Sequence, residues 1–163
     1  MKALSLTQPW ATLVVAGAKH YETRSWPTKH RGPLAIHASK HFPKDCILLC
    51  KFPHFQECLE IAGYPNPRDL PTGALVGLVY MTECMEARHA MQDPKLSRHE
   101  PHFGDFGRGR FAWKLKDPWK LENPIACTGR LGLWNLPEEL AADLLAQSQR
   151  AKFPSIGEQA HGI

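Results

Sequence analysis

Hydrophobic residues along the chain form short runs, some alternating with polar residues and some continuous. The clearest run is Gly73–Met81, where nearly every residue is apolar, and such a run predicts a strand buried on both faces. Residues 34–38 alternate and predict a second strand. Extended segments are also predicted at residues 20–26, 111–115 and 129–134. The pattern therefore predicts about five or six short strands.

Helical spacing of apolar residues predicts a short first helix in which Trp10, Leu13 and Val14 share one face. We expect Thr7 to cap the N-terminus of this helix. Gly17 is expected just beyond its C-terminus, where a left-handed backbone favours glycine. Three further helices are predicted: residues 44–51, 53–62 and 86–91.

A last helix is predicted after residue 135. Asn135 is the expected N-cap, and Glu138 stands at the reciprocal position of a capping box. The predicted helices are too irregularly placed for a repeating strand–helix–strand pattern. This favours an α+β fold, a small mixed β-barrel decorated with helices, over a doubly wound sheet. We expect one domain over residues 1–153 and a frayed tail over residues 154–163.

Composition agrees with a globular protein and narrows its class. The chain has 163 residues, of which 43% are hydrophobic and 22% charged. No apolar run reaches the roughly 18 residues that span a bilayer, and the first residues lack a signal-peptide pattern. We therefore expect a cytoplasmic protein with no membrane partner. The five cysteines include no C-x-x-C pair, which favours free thiols, and no metal site or cofactor is expected.

Positive charge is concentrated in one part of the chain. The formal net charge is +4, whereas residues 19–51 carry seven Lys or Arg against two acids, so 7 − 2 = +5. Clustered positive charge attracts a polyanionic partner and accelerates its binding. The alternative is an ordinary solvated basic surface. The charge pattern thus raises the question of which residues could contact an anion.

The main candidate site follows the first helix. In an extended segment Glu22 and Arg24 lie on the same face, about 7 Å apart, and Lys19 precedes them at the turn. One interpretation is structural, with Glu22 and Arg24 paired and Lys19 in solvent. A second is binding, in which Lys19 and Arg24 hold a phosphate or base edge and Trp26 stacks on a base. A third is catalysis, with Lys19 as base or nucleophile and Glu22 activating water.

Two other segments contain candidate ligand contacts. The glycine-rich, basic stretch of residues 103–111 places Arg108 and Arg110 in a loop that could close over the site. It lacks the G-K-[ST] ending of a phosphate-binding P-loop. Ser39 and Lys40 end the predicted strand at residues 34–38 and could line the same opening. The alternative for the loop is a solvent-exposed connection into the next strand.

Residues 17–24, GAKHYETR, resemble the signature G-x-K-x-x-E-x-R of the ASCH domain family, named for activating signal cointegrator homology. All four signature residues are present: Gly17, Lys19, Glu22 and Arg24. The flanking QPWA, RSW and RGPL, and the later GALVGLVYMTEC, GRFAWKL and GRLGLWNL, are also similar to the family. The resemblance implies a PUA-like β-barrel whose cleft, at the signature, binds RNA, DNA or a nucleotide-like ligand.

The resemblance also implies an alternative activity. Some family members are hydrolases, either ribonucleases or an amidohydrolase acting on acetylated cytidine. The amidohydrolase uses a lysine, a threonine three residues later and a distant glutamate. Lys19 matches the lysine, Glu22 replaces the threonine, and Glu83 is a weak candidate for the glutamate. The leading hypothesis is therefore a monomeric, RNA-favouring nucleic-acid-binding module. The alternatives are a small hydrolase acting on RNA or a modified nucleoside, and a protein-interaction domain.

Overall fold

A computed structural model describes residues 1–150 and contains one six-stranded mixed sheet. The strands are β1 Lys2–Leu6, β2 Tyr21–Arg24, β3 Gly32–Ala38, β4 Ala74–Glu86, β5 Phe111–Ala126 and β6 Leu133–Asn135. They lie in the order β2-β5-β4-β3-β1-β6, with β1 and β3 parallel and the other pairs antiparallel. The sheet curls into a half-barrel, which confirms the expected α+β, PUA-like class.

Helices cover the sheet and connect its strands. Those in the described residues are α1 Trp10–Val15, α2 Lys44–Leu49, α3 Pro53–Ile61, α4 Ala87–Ala90, α5 Glu100–Phe103 and α6 Glu138–Arg150, with a 3-10 turn at Pro67–Asp69. The predicted helices at residues 44–51, 53–62 and 86–91 correspond to α2, α3 and α4. No helix in residues 1–150 is long and apolar enough to cross a membrane.

Hydrophobic residues pack on both faces of the sheet. On one face, Leu4 and Ile36 join Val14 and Val15 of α1 in one cluster. On the other face, Ala3, Ala35 and Leu75 belong to a cluster that also includes Leu144 of α6. The central strands are therefore buried on both sides, which is the environment that the continuous apolar run of β4 predicts. This packing holds β1 and β3 in place at the centre of the sheet.

The start of the chain differs from the sequence prediction. Residues Lys2–Leu6 form β1, a strand that the hydrophobic pattern did not identify. Thr7 does not cap α1, because the N-cap position is Pro9 and no side chain bonds there. Instead, the buried Gln8 accepts a hydrogen bond from the backbone N–H of Thr12 at 3.1 Å. The amide side chain of Gln8 reaches one turn into the helix, and this is a contact that Thr7 does not make.

The last helix also begins later than predicted. Asn135 does not cap it but belongs to β6, where it pairs with Lys2 of β1. The backbone N–H of Ala141 donates to the carbonyl of Pro137 at 2.9 Å, so the helical hydrogen bonds start after the strand has ended. The predicted strand at residues 129–134 is shorter than expected, and β5 is longer. The expected domain end at residue 153 and the tail 154–163 lie outside the described residues.

Candidate functional site

Gly17 sets the direction of the chain as it leaves α1. Its φ of +77° is left-handed, as predicted for a residue just beyond the helix. An added Cβ would also lie 3.0 Å from Cγ of Pro118, so both conformation and space favour glycine. After this turn the chain enters β2, which is an edge strand that pairs with β5. The signature residues therefore lie at an edge of the sheet.

Lys19 is buried beneath this edge rather than exposed in solvent, contrary to the structural interpretation given above. It is only 1% exposed, and its Nζ donates to the carbonyls of Tyr21 and, at 3.0 Å, of Phe103. Its Nζ also lies 3.9 Å from Glu22 and 4.0 Å from Glu100. Burial lowers the pKa of Lys19, while the two carboxylates oppose that shift. Lys19 thus holds β2 against the segment that contains Phe103.

Glu100 is a central residue that the sequence analysis missed. It is completely buried, and its carboxylate accepts hydrogen bonds from the backbone N–H groups of His20 at 2.8 Å and Tyr21 at 3.0 Å. The same carboxylate lies 3.4 Å from Nδ1 of His20, and this hydrogen bond raises the pKa of His20. Glu100 and β2 are about 80 residues apart. No local sequence pattern identifies such a pairing.

Glu22 and Arg24 do lie on one face, as predicted, and they form an ion pair. Nε of Arg24 lies 3.0 Å from Oε1 of Glu22, and the Arg24 guanidinium also donates to the carbonyl of Ser5 at 3.3 Å. Both side chains line an open cleft of about 410 Å³. The cleft is lined by Ser5, Leu6, Thr7, Trp10, Glu22, Thr23, Arg24, His102, Phe103, Gly104, Asp105 and Arg110.

A second arginine–carboxylate pair lies in the same cleft. Nε of Arg110 lies 3.4 Å from Oδ2 of Asp105, and its guanidinium donates to the carbonyl of Thr23 at 3.2 Å. The backbone N–H of Asp105 in turn donates to the Thr23 hydroxyl at 3.0 Å, which fixes the loop wall to β2. Within residues 1–150, Nε of Arg24 and Nε of Arg110 are buried and lie at ion-pair distance from their partner carboxylates, but neither forms a hydrogen bond. The cleft therefore presents two guanidinium groups, each beside an acid.

Two predicted contacts lie in a separate cavity. Ser39 and Lys40 line a space of about 800 Å³, whereas the cleft contains Glu22 and Arg24. Ser5 lines both, so the two spaces are neighbours. The structure thus places Ser39 and Lys40 beside the cleft rather than in it.

Three other candidates lie outside the cleft. Arg108 lines a third space together with Glu86, and Arg110 lines both this space and the cleft. Trp26 is partly buried and packs edge-to-face on the core residue Trp113, with ring centroids 4.7 Å apart. Glu83 has an exposed side chain that lies 3.7 Å from Nζ of Lys114. Arg110 is the only one of the predicted loop arginines that the described structure brings to the cleft.

All five cysteines are free, as predicted; two of them are buried and three are partly exposed. In the described residues, no group of three or more His, Cys, Asp or Glu is arranged to hold a metal ion. The polar side chains that line the cleft carry guanidinium, carboxylate, hydroxyl and imidazole groups.

Comparison with known proteins identifies the family of the chain. The family model described as the ASCH domain matches residues 4–125, which include the whole segment from Gly17 to Arg24 and the loop from His102 to Arg110. The chain belongs to the ASCH domain family. Membership of this family supports, in general terms, a module that interacts with nucleic acid.

Two curated relatives show the same ASCH relationship. The chain is 28% identical over 139 residues to activating signal cointegrator 1 of Homo sapiens, which covers 84% of this chain and 22% of that protein. It is 29% identical over 138 residues to the Mus musculus protein of the same name, again covering 84% and 22%. The chain therefore spans about a fifth of the length of the curated relatives it matches.

Solved structures confirm the ASCH fold. The crystal structure of ASCH from Zymomonas mobilis superposes with a TM-score of 0.54 at 16% identity, covering 89% of this chain and 93% of that one. A mutant of the same protein gives a TM-score of 0.53 at 16% identity, covering 89% and 96%. At this identity the similarity concerns the fold alone.

Proposed function

We propose that this ASCH domain binds single-stranded nucleic acid, with RNA favoured, through the cleft that contains Glu22, Arg24, Asp105 and Arg110. The observation that carries the proposal is the pairing of each guanidinium with a carboxylate at an open surface. Guanidinium N–H groups donate to base acceptors and phosphates, and carboxylates accept from exocyclic amines. A nucleotide base with both donors and acceptors on its edge matches this arrangement.

The size and lining of the cleft support a single nucleotide rather than a duplex. A volume of about 410 Å³ falls within the range of small-ligand sites, roughly 300–1,000 Å³. Single-stranded RNA is recognised through bases that leave the stack and enter such pockets. The ribose 2′-hydroxyl both donates and accepts, and the hydroxyls of Thr7 and Thr23 and the nearby carboxylates are suitable partners. This is the basis for favouring RNA over DNA.

Lys19 is buried, whereas the two arginines of the cleft are partly exposed. Its ammonium is bonded to two backbone carbonyls and does not line the cleft. We therefore assign Lys19 to supporting β2, while Arg24 and Arg110 contact the ligand. The hydrolase alternative needs Lys19 and Glu22 at the reacting atoms, and no observation in the described residues favours it over binding.

The test is a binding titration with a fluorescently labelled single-stranded RNA octamer at low salt. We expect Arg24→Ala to weaken binding about tenfold or more, because a bidentate guanidinium contact is worth about 1–3 kcal/mol. Arg68→Ala removes the same charge from an exposed turn outside the cleft and should leave the affinity unchanged. Circular dichroism of each variant checks that the fold is retained.

Two results would contradict the proposal. One is a wild-type protein that does not bind the octamer at low salt. The other is an equal loss of affinity in Arg24→Ala and Arg68→Ala, since binding would then reflect overall charge alone. Equal affinity for a DNA octamer of the same sequence would remove the preference for RNA and leave nucleic-acid binding in place.

A further inference from the structure

The second cavity is a separate feature of the fold. It measures about 800 Å³ and lies where β3 ends, where β4 begins and where the chain leaves β5. Its lining consists of Ser5, His37, Ser39, Lys40, His41, Thr72, Gly73, Ala126, Cys127, Thr128, Gly129, Arg130 and Leu131. Because Ser5 also lines the cleft, the two spaces are neighbours on either side of this residue near the end of β1.

The two spaces differ in charge. The cleft contains Glu22 and Asp105 beside its arginines, whereas none of the described Asp or Glu residues lines the second cavity. Lys40 and Arg130 are exposed there, and neither takes part in an ion pair within residues 1–150. The lining also includes several hydroxyl groups, which donate hydrogen bonds to anions. Unpaired cations together with hydroxyl donors favour an anionic group such as a phosphate.

The floor of the second cavity is held by close contacts. A Cβ on Gly129 would lie 2.4 Å from Nδ1 of His37 and 2.7 Å from Oγ of Ser5, so a glycine is needed for the chain to pass this closely. A ring nitrogen of His37 lies 3.1 Å from the carbonyl of Cys127, and Nε1 of Trp134 donates to Oγ of Ser5 at 3.2 Å. These contacts fix the segment that places Arg130 at the rim.

Lys40 is positioned from the opposite side. The chain at Gly73 has a φ of +62°, and an added Cβ there would lie 3.6 Å from Cβ of Lys40, so the aliphatic stem of Lys40 passes close to this glycine. Burial lowers the pKa of His37, because desolvation disfavours the charged form of its ring. The positive charge of the cavity therefore comes from Lys40 and Arg130 rather than from the histidine in its floor.

We propose that the second cavity binds the backbone phosphodiester next to the nucleotide held in the cleft, so that one strand crosses Ser5 from one space to the other. The proposal rests on the nucleic-acid binding proposed above and adds the path of the strand. Lys40 and Arg130 hold the phosphodiester, with Thr128 and Ser39 as hydroxyl donors. The cleft then recognises the base, and the second cavity recognises the backbone.

The test compares ligands of different length and backbone charge. We expect the double variant Lys40→Ala, Arg130→Ala to bind the RNA octamer at least tenfold more weakly than wild type. Its slope of log affinity against log salt should be smaller by about 0.7, because each phosphate contact on a single strand contributes about 0.7 and both side chains hold the same phosphodiester. Binding of a single nucleoside should not change. An octamer with an uncharged methylphosphonate backbone should also bind both proteins equally.

Controls separate this proposal from the loss of charge in general. The double variant Lys29→Ala, Arg68→Ala removes two exposed cations that line neither space, and it should keep wild-type affinity and salt slope. Thr128→Glu leaves both cations in place but adds a carboxylate at the rim, and it should weaken binding of the charged octamer alone.

The outcomes also separate the two proposals. If Arg24→Ala weakens binding but the Lys40, Arg130 double variant does not, the cleft stands and the path through the second cavity is wrong. The same conclusion follows if the Lys40, Arg130 double variant loses as much affinity for the nucleoside as for the octamer. It also follows if the control double variant at Lys29 and Arg68 loses as much affinity for the octamer as the Lys40, Arg130 double variant. If no wild-type binding is seen, the proposed function itself fails.

Discussion

Glu100 offers the sharpest test of how the site is built, because it is completely buried and its partners are distant in sequence. Replacing it by alanine removes the acceptor of two backbone N–H groups, those of His20 and Tyr21. It also removes one of the two carboxylates within 4.0 Å of the buried Lys19 ammonium, leaving Glu22 at 3.9 Å. The variant therefore leaves one partly buried and one buried donor unsatisfied and a buried cation less well compensated.

The expected cost can be worked from these contacts. An unsatisfied buried donor costs about 1–3 kcal/mol, and breaking a buried ion pair by removing one partner costs about 3–5 kcal/mol. The two figures partly describe the same loss, so we expect Glu100→Ala to lower the free energy of unfolding by about 3–5 kcal/mol. For a chain of this length, the melting temperature should fall by on the order of 10 °C.

The assay is urea denaturation followed by circular dichroism, with the melting temperature as a second measurement. Glu122→Ala is the matched control, because it removes an exposed carboxylate from β5 and should change stability by less than about 0.5 kcal/mol. Glu100→Gln keeps the side-chain volume and one acceptor oxygen, so its free energy of unfolding should lie between those of Glu100→Ala and Glu122→Ala. If Glu100→Ala unfolds within about 1 kcal/mol of wild type, the assignment of Glu100 as the support of β2 is refuted.

Three further predictions concern the close packing at Gly77 in β4 and the titration of His20 and Tyr21. Gly77→Ala should cost about 3 kcal/mol in urea denaturation, because its Cβ would lie 2.1 Å from the carbonyl oxygen of Trp119; wild-type stability would contradict this. The hydrogen bond to Glu100 raises the pKa of His20. The stabilisation of the fold by protonated His20 is therefore present below pH 6.5 and is lost as the pH rises through the raised pKa. The His20→Asn variant should not show this loss of stability. Absorbance titration should show one of the three tyrosines ionising with a pKa of about 12, chiefly because Tyr21 is desolvated, and Tyr21→Phe should remove this late step.

Local sequence features predicted several elements correctly. The apolar run of β4 and the alternation of β3 depend on neighbouring side chains along one strand, and both strands are present. Gly17 has the left-handed φ expected just beyond a helix. The Glu22–Arg24 pair also follows from the two-residue repeat of a strand.

Distant contacts account for the features that were missed. β1 is a five-residue strand whose pairing with β3 and β6 joins segments far apart in the chain, so its short pattern was not recognised. Asn135 has the side chain of an N-cap, yet pairing with Lys2 keeps it in β6. Ser39 and Lys40 end a strand beside the cleft, and only the course of the chain around Gly129 places them in a separate cavity.

By itself, the sequence predicted β2, most of β3 and β4 and the start of β5, and it placed an acid and an arginine on one face of β2. It did so because strand and helix periodicity are local properties of the chain. The tertiary structure alone decided that Lys19 is buried, that Glu100 supports β2, and that Arg110 rather than Arg108 faces Arg24. Burial and pairing of charges depend on which distant segments pack together, and that information is not contained in the spacing of neighbouring residues.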